Sequence, residues 1–157
     1  MDSISINNFT EAAKGCQKTI LLASVVSITL MSFALAIDFQ NVNIPGLGVE
    51  FGGKAALGML FAVFFSLGVY LGIQLRMVKS NYDAIDCEKT QNALLRFPSI
   101  VCGNKYLRQF FIWLPSTLMF LAMYIAFSGS VLLALILVFI CSIPYFFAAQ
   151  IAFNTGK

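Results

Sequence analysis

Histidine is absent from the 157 residues, tryptophan occurs once, and only 11% of positions are charged. Without histidine the chain lacks the commonest general base and the commonest metal ligand. The four cysteines, Cys16, Cys87, Cys102 and Cys141, have none of the close spacing of a zinc or thioredoxin-like site. No metal and no cofactor are therefore expected, and no disulfide either, since Cys16, Cys87 and Cys102 fall in segments that the charge pattern places in the cytosol and Cys141 falls inside a span. No nucleophile, base and orienting group stand at a matching spacing either, so the chain is expected not to be an enzyme. The scarcity that organises everything else is positional. None of the 10 basic and 7 acidic residues lies within 19–37, 55–75, 109–127 or 131–153. Proton-coupled antiporters and voltage sensors work by moving or sensing a charge inside the membrane, and these stretches offer none.

What fills those stretches is apolar: 59% of the chain is hydrophobic and 14% aromatic. Roughly 20 apolar residues cross a bilayer core about 30 Å thick, so the sequence predicts an all-α membrane protein. It is a single four-helix transmembrane domain over 1–157, with spans at about 19–37, 55–75, 109–127 and 131–153. Asn8 and Glu11 resemble a capping box opening a short helix that leads into the first span. Lys14 and Lys18 precede an apolar run ending in Ala34-Leu35-Ala36, which has the look of a signal peptide. The run is longer than a signal core, so a retained helix is expected. The outer loop, 38–54, carries two weakly alternating runs around Pro45 and Gly48 and predicts a small β-hairpin.

Nine of the ten basic residues, Lys14, Lys18, Arg76, Lys79, Lys89, Arg96, Lys105, Arg108 and Lys157, fall on one side of the four spans, and only Lys54 on the other. The positive-inside rule places both termini and the 76–108 loop in the cytosol. The net charge of +3 is better read through this distribution than as a nucleic-acid footprint, so no direct nucleic acid binding is expected.

Three groups of residues are candidates for function. Gly68 and Gly72 form a GxxxG, and Gly58, Ala62 and Ser66 a second small-residue row; such rows let helices approach closely. They predict either an oligomer interface or packing within one bundle. Pro115 and Pro144 lie fourteen and fifteen residues from Gly129 in the short turn between the last two spans, hence at one depth. Each proline leaves the carbonyl four residues earlier, Phe111 or Ile140, without its helical donor. Ser116, Thr117, Cys141 and Ser142 are close enough to satisfy those carbonyls or to line a constriction, so the pair predicts either a hinge or gate or merely tolerated kinks, prolines being frequent in membrane helices. In the cytosolic loop, Lys89, Leu94, Leu95, Arg96 and Phe97 could dock a soluble protein, pack under the bundle, or meet anionic headgroups at about 1 kcal/mol per basic residue.

Four spans, a short outer hairpin and a basic cytosolic loop with almost no soluble domain resemble the small membrane subunits of bacterial anti-phage cassettes, such as the membrane component of Kiwa. The likeness is one of layout over most of the chain and assigns no residue a role. It implies an integral, multi-pass protein of the bacterial inner membrane that senses infection or membrane perturbation and signals to a separately encoded soluble partner. The expected function is thus a non-enzymatic, homo-oligomeric sensor or scaffold. A small pore, or an accessory subunit of a transporter, is the alternative.

Overall fold

A computed structural model describes residues 2–35, 41–43, 50–97, 99–102, 104–126 and 131–155. Its elements are α1 (Asp2–Leu35), β1 (Asn41–Asn43), β2 (Glu50–Gly52), α2 (Gly53–Asp83), α3 (Glu88–Leu94), α4 (Lys105–Ala126) and α5 (Val131–Asn154). The long helices form a four-sided bundle in which α1 and α5 each neighbour both α2 and α4. The start of α1 and the end of α2 meet at Phe9 and Tyr82, with ring centroids 6.4 Å apart. Arg108 of α4 bonds to the Thr155 carbonyl beyond α5. One end of the bundle therefore gathers most of the charged residues.

Each helix turns small or shape-matched residues inward. On α1, Phe9, Ala12, Ala13, Cys16, Ile20, Ala23, Ser27 and Leu30 are buried, a three-to-four-residue spacing that makes one stripe. On α5 the inward stripe includes Ala134, Cys141, Tyr145, Ala148, Ala149 and Ala152. The outward surface is the greasier one: Leu132 and Phe139 are 72% and 73% exposed, and Leu22, Val25, Val69 and Phe147 are exposed with them. A water-soluble domain would not leave so continuous an apolar surface uncovered. In lipid, where apolar contact gives helices little drive to associate, small inward residues permit the close packing that holds them.

α1, α2 and α5 contain stretches long and apolar enough to cross a membrane, the pattern of an integral membrane protein. α4 spans 22 residues, but Lys105, Arg108, Gln109, Ser116 and Thr117 dilute its apolar character. α1 and α2, at 34 and 31 residues, reach about 50 and 45 Å at 1.5 Å per residue. Each overshoots a hydrocarbon core of about 30 Å by several turns. Their projecting ends carry Phe9, Ala13 and Cys16 on one side and Val78 and Tyr82 on the other, all buried.

That packing also explains why the cap signal at Asn8 and Glu11 misleads. α1 starts at Asp2, so both lie inside the helix. There Thr10 Oγ1 donates to the Asn7 carbonyl at 2.8 Å, and Glu11 pairs with Lys14 at 3.0 Å on an exposed face. Beyond α1, three-residue strands β1 and β2 pair antiparallel, with Val42 opposite Phe51. The turn predicted at Pro45–Gly48 lies outside the described residues.

Candidate functional site

Tyr145 is the best-fixed side chain where α2 meets α5. Its ring stacks on Phe64 with centroids 4.7 Å apart, and its hydroxyl donates to the Phe64 carbonyl at 3.1 Å. Gly68, one turn along α2, makes room for it: a Cβ there would lie 2.6 Å from Tyr145 Cε2 and 3.0 Å from Pro144 Cβ. Gly72 and Gly58 meet nothing within 4 Å. The GxxxG therefore divides, Gly68 in close contact within the bundle and Gly72 with open space beside it, although both border a cleft that also takes in Val69 and Arg76. Gly58, Ala62 and Ser66 lie on the exposed face of α2, and Ser66 Oγ donates to its own helix at Ala62.

The two proline helices meet different neighbours. Pro115 is fully buried, and its carbonyl accepts a hydrogen bond from Ser27 Oγ of α1 at 3.0 Å. Ser27 also reaches the Ala23 carbonyl at 3.0 Å, so one hydroxyl is shared between α1 and α4. Pro144 packs toward Gly68. Thr117 does not serve the Phe111 carbonyl; its hydroxyl donates to Trp113 at 3.1 Å. The hydroxyls of Ser116 and Ser142 are buried and have no partner among the described residues. Both residues line a groove of ≈ 890 Å³ between α4 and α5, whose other walls are apolar and aromatic apart from Thr117.

At the charged end, residues 84–97, 99–102 and 104 fold back as a cap. α3 is one short helix in this segment, and Gln91 Nε2 fixes its approach by donating to the Ile85 carbonyl at 2.7 Å. Ser99 Oγ donates to the Ala13 carbonyl of α1 at 3.3 Å. Leu94, Val101 and Cys102 are buried, and Leu95 and Phe97 pack against the core. The apolar members of the predicted docking group thus face the bundle, while Lys89 and Arg96 are exposed.

Beneath the cap lies a residue that the sequence analysis counted only as one more basic position. Arg108 is buried; Nη1 donates to the Thr155 carbonyl at 3.1 Å, while Nε has no partner among the described residues. Burial lowers its pKa from the usual arginine range, with partial compensation from Cys102 and Tyr82. Burial pushes the Cys102 thiol up to about 11, against a lowering influence of Arg108. Among the described residues no group of three or more His, Cys, Asp or Glu is placed to hold a metal.

No protein-family model matches this chain, and no curated protein or solved structure shows significant similarity to it.

Proposed function

We propose that the chain is a non-enzymatic, four-span membrane sensor and scaffold that recruits a soluble partner protein to its cytosolic face. The observation that carries this reading is the cap. α1 and α2 project beyond the apolar part of the bundle, and the cap is anchored there by buried Leu94, Val101 and Cys102 and by the Ser99–Ala13 hydrogen bond. What the cap turns outward is polar, with Lys89 and Arg96 exposed. An anchored surface of this kind loses little conformational entropy when a partner binds, and it moves with the helices beneath it.

In this reading α4 is the fourth span, both termini and the cap are cytosolic, and the membrane is the bacterial inner membrane. The setting is anti-phage defence, on the layout shared with such subunits. The exposed row Gly58, Ala62 and Ser66 is the homo-oligomer contact, Gly68 being occupied within the bundle. Pro115 and Pro144 act as the hinge through which a disturbance of the bilayer shifts α4 and α5 against α1 and α2.

The test is copurification of soluble proteins with the full chain from its native host, wild type against Lys89→Glu/Arg96→Glu. A stoichiometric partner held by the wild type and lost by the variant, at unchanged oligomer mass, is the expected result. Equal retention by both removes this face. Ion flux from liposomes holding the purified chain alone would replace the scaffold reading with a pore.

A further inference from the structure

The underside of the cap brings two cysteines into one layer. Ser99 Oγ donates to the Ala13 carbonyl at 3.3 Å, and in a helix that carbonyl points toward the amide of residue 17, so Ser99 stands at the level of Cys16. Within the cap, the Cys102 amide donates to the Ser99 carbonyl at 3.0 Å. Cys102 is thus one turn from Ser99, as Cys16 is one turn from Ala13. The bonded pair fixes the position of the second pair. Cys16 and Cys102 are both buried and free, both belong to the same apolar core, and the Cys16 thiol is near enough to feel a charge on Cys102.

The surroundings decide which reagents the two thiols can meet. Burial excludes bulky electrophiles and keeps both thiols protonated, and the thiolate is the nucleophile, so each is inert to large reagents while the cap is closed. The two are not equivalent. Arg108 approaches Cys102 from α4 and works against the effect of burial, which makes Cys102 the thiol with a cation to support its ionised form. A small neutral oxidant can reach a packed site of this kind, and the second thiol then lies beside the first. In a reducing compartment such a pair rests in the dithiol state and is bonded transiently, the usual pattern for sensing disulfides.

We propose that Cys16 and Cys102 are a redox pair, joined into a disulfide when a peroxide reaches the base of the cap, and that this bond fastens the cap to α1. In the first step the Cys102 sulfur gives up its proton and attacks one peroxide oxygen; the O–O bond breaks, leaving a sulfenic acid and one water. In the second, the Cys16 sulfur gives up its proton and attacks the Cys102 sulfur, the S–O bond breaks, and a second water leaves. The two thiols together lose two electrons and two protons, and the peroxide takes up both. Exchange with a cellular dithiol reverses the bond. The inference rests on the cap lying against α1 and not on partner recruitment.

The full chain in phosphatidylcholine nanodiscs is treated with hydrogen peroxide, unfolded in N-ethylmaleimide to block every remaining thiol, and digested with trypsin. Cleavage after Lys14, Lys18, Arg96 and Lys105 leaves Cys16 in peptide 15–18 and Cys102 in peptide 97–105, whereas Cys87 falls in 80–89. The expected product is the sum of peptides 15–18 and 97–105 less two hydrogens, absent before peroxide and removed by dithiothreitol, with equal loss of the two maleimide adducts. Cys16→Ala abolishes it, and its Cys102 sulfenic acid is then captured by dimedone. In a dodecyl sulfate titration the oxidised wild type unfolds at a higher midpoint than the reduced, because the bond closes a long loop of the unfolded chain; peroxide leaves the midpoint of Cys16→Ala where it was. Recovery of both peptides as maleimide adducts, at a peroxide dose that oxidises exposed Cys87, overturns the proposal. So does linkage of either cysteine to Cys87 or Cys141 in place of the other. No partner protein is present in these measurements, so failure of the pair is seen apart from failure of the recruitment reading.

Discussion

Replacing Gly68 by alanine adds one methyl group, yet the structure predicts a response opposite to that at Gly72. At Gly68 the new Cβ falls 2.6 and 2.9 Å from two Tyr145 ring carbons and 3.0 Å from Pro144 Cβ. Comfortable carbon contact begins at about 3.5 Å, so the ring must retreat by nearly 1 Å. It has nowhere to go, being fully buried, stacked on Phe64 and bonded to the Phe64 carbonyl. Overpacking costs about 1–3 kcal/mol. Disturbing the stacked pair adds about 0.5–1.5 kcal/mol, and the intramembrane hydrogen bond about 0.6 kcal/mol. The better helix propensity of alanine returns up to about 1 kcal/mol. Gly68→Ala is therefore expected to lose about 1–4 kcal/mol, whereas Gly72→Ala and Gly58→Ala, which meet nothing, are unchanged or slightly stabilised. Reversible unfolding in mixed micelles titrated with dodecyl sulfate, followed by Trp113 emission, measures the difference. Pairing Gly68→Ala with Tyr145→Ala should show a coupling energy that relieves much of the loss. Equal midpoints for Gly68→Ala and Gly72→Ala, or no coupling to Tyr145, would refute the packing argument.

Arg108→Met is expected to leave the unfolding midpoint unchanged or raise it, because it removes a buried cation with an unmatched Nε at the cost of one bond to Thr155; a loss above about 1 kcal/mol in the same titration would show a stronger partner for the guanidinium. Cys102 retains its proton in the folded chain to about pH 11, while the unfolded thiol loses it near 9. The folded state then binds more protons, so the stability contributed by the thiol is full below pH 9 and is lost as pH rises through 11. Stability curves from pH 8 to 11 should accordingly fall less steeply for Cys102→Ala than for wild type, and parallel curves would contradict this. A membrane-impermeant maleimide should modify exposed Cys87 promptly, and buried Cys16, Cys102 and Cys141 only after unfolding; in sealed vesicles of known sidedness, Cys87 labelling from the side we assign to the periplasm would overturn the proposed orientation.

The helices were legible where one physical preference acts alone. Exclusion of charge from hydrocarbon marks the apolar stretches of α1, α2 and α5 in the bare sequence, whatever the rest of the chain does. Boundaries were less legible, because the projecting ends of α1 and α2 are polar on one side and buried on the other. Phe9, Ala13, Val78 and Tyr82 extend the helices by packing, and the side-chain signal at Asn8 could not compete with it. Gly68 and Gly72 illustrate a second limit: residues four apart share a helix face, but a difference of tens of degrees decides which one meets a neighbour. Arg108 illustrates a third. The charge pattern counts it only as one more basic residue, whereas its burial depends on Thr155, 47 positions away. The prolines were placed at one level by their distance from the turn, and Ser116 and Ser142 were drawn to that level with them. That their hydroxyls would lack partners needed the coordinates of the whole α4–α5 surface.

The neighbour relations within the bundle also order its synthesis. α1 and α2 can pair as soon as both have emerged from the ribosome, and α4 can then dock on α1 through Ser27 and the Pro115 carbonyl. Until α5 is made, the Phe64 ring and the hollow beside Gly68 have no cover from Tyr145. Tyr145 of α5, which follows the other three long helices in the sequence, covers both at once. Without Tyr145 the Phe64 ring and the hollow at Gly68 would lie uncovered, so a single aromatic side chain of α5 closes that face of α2.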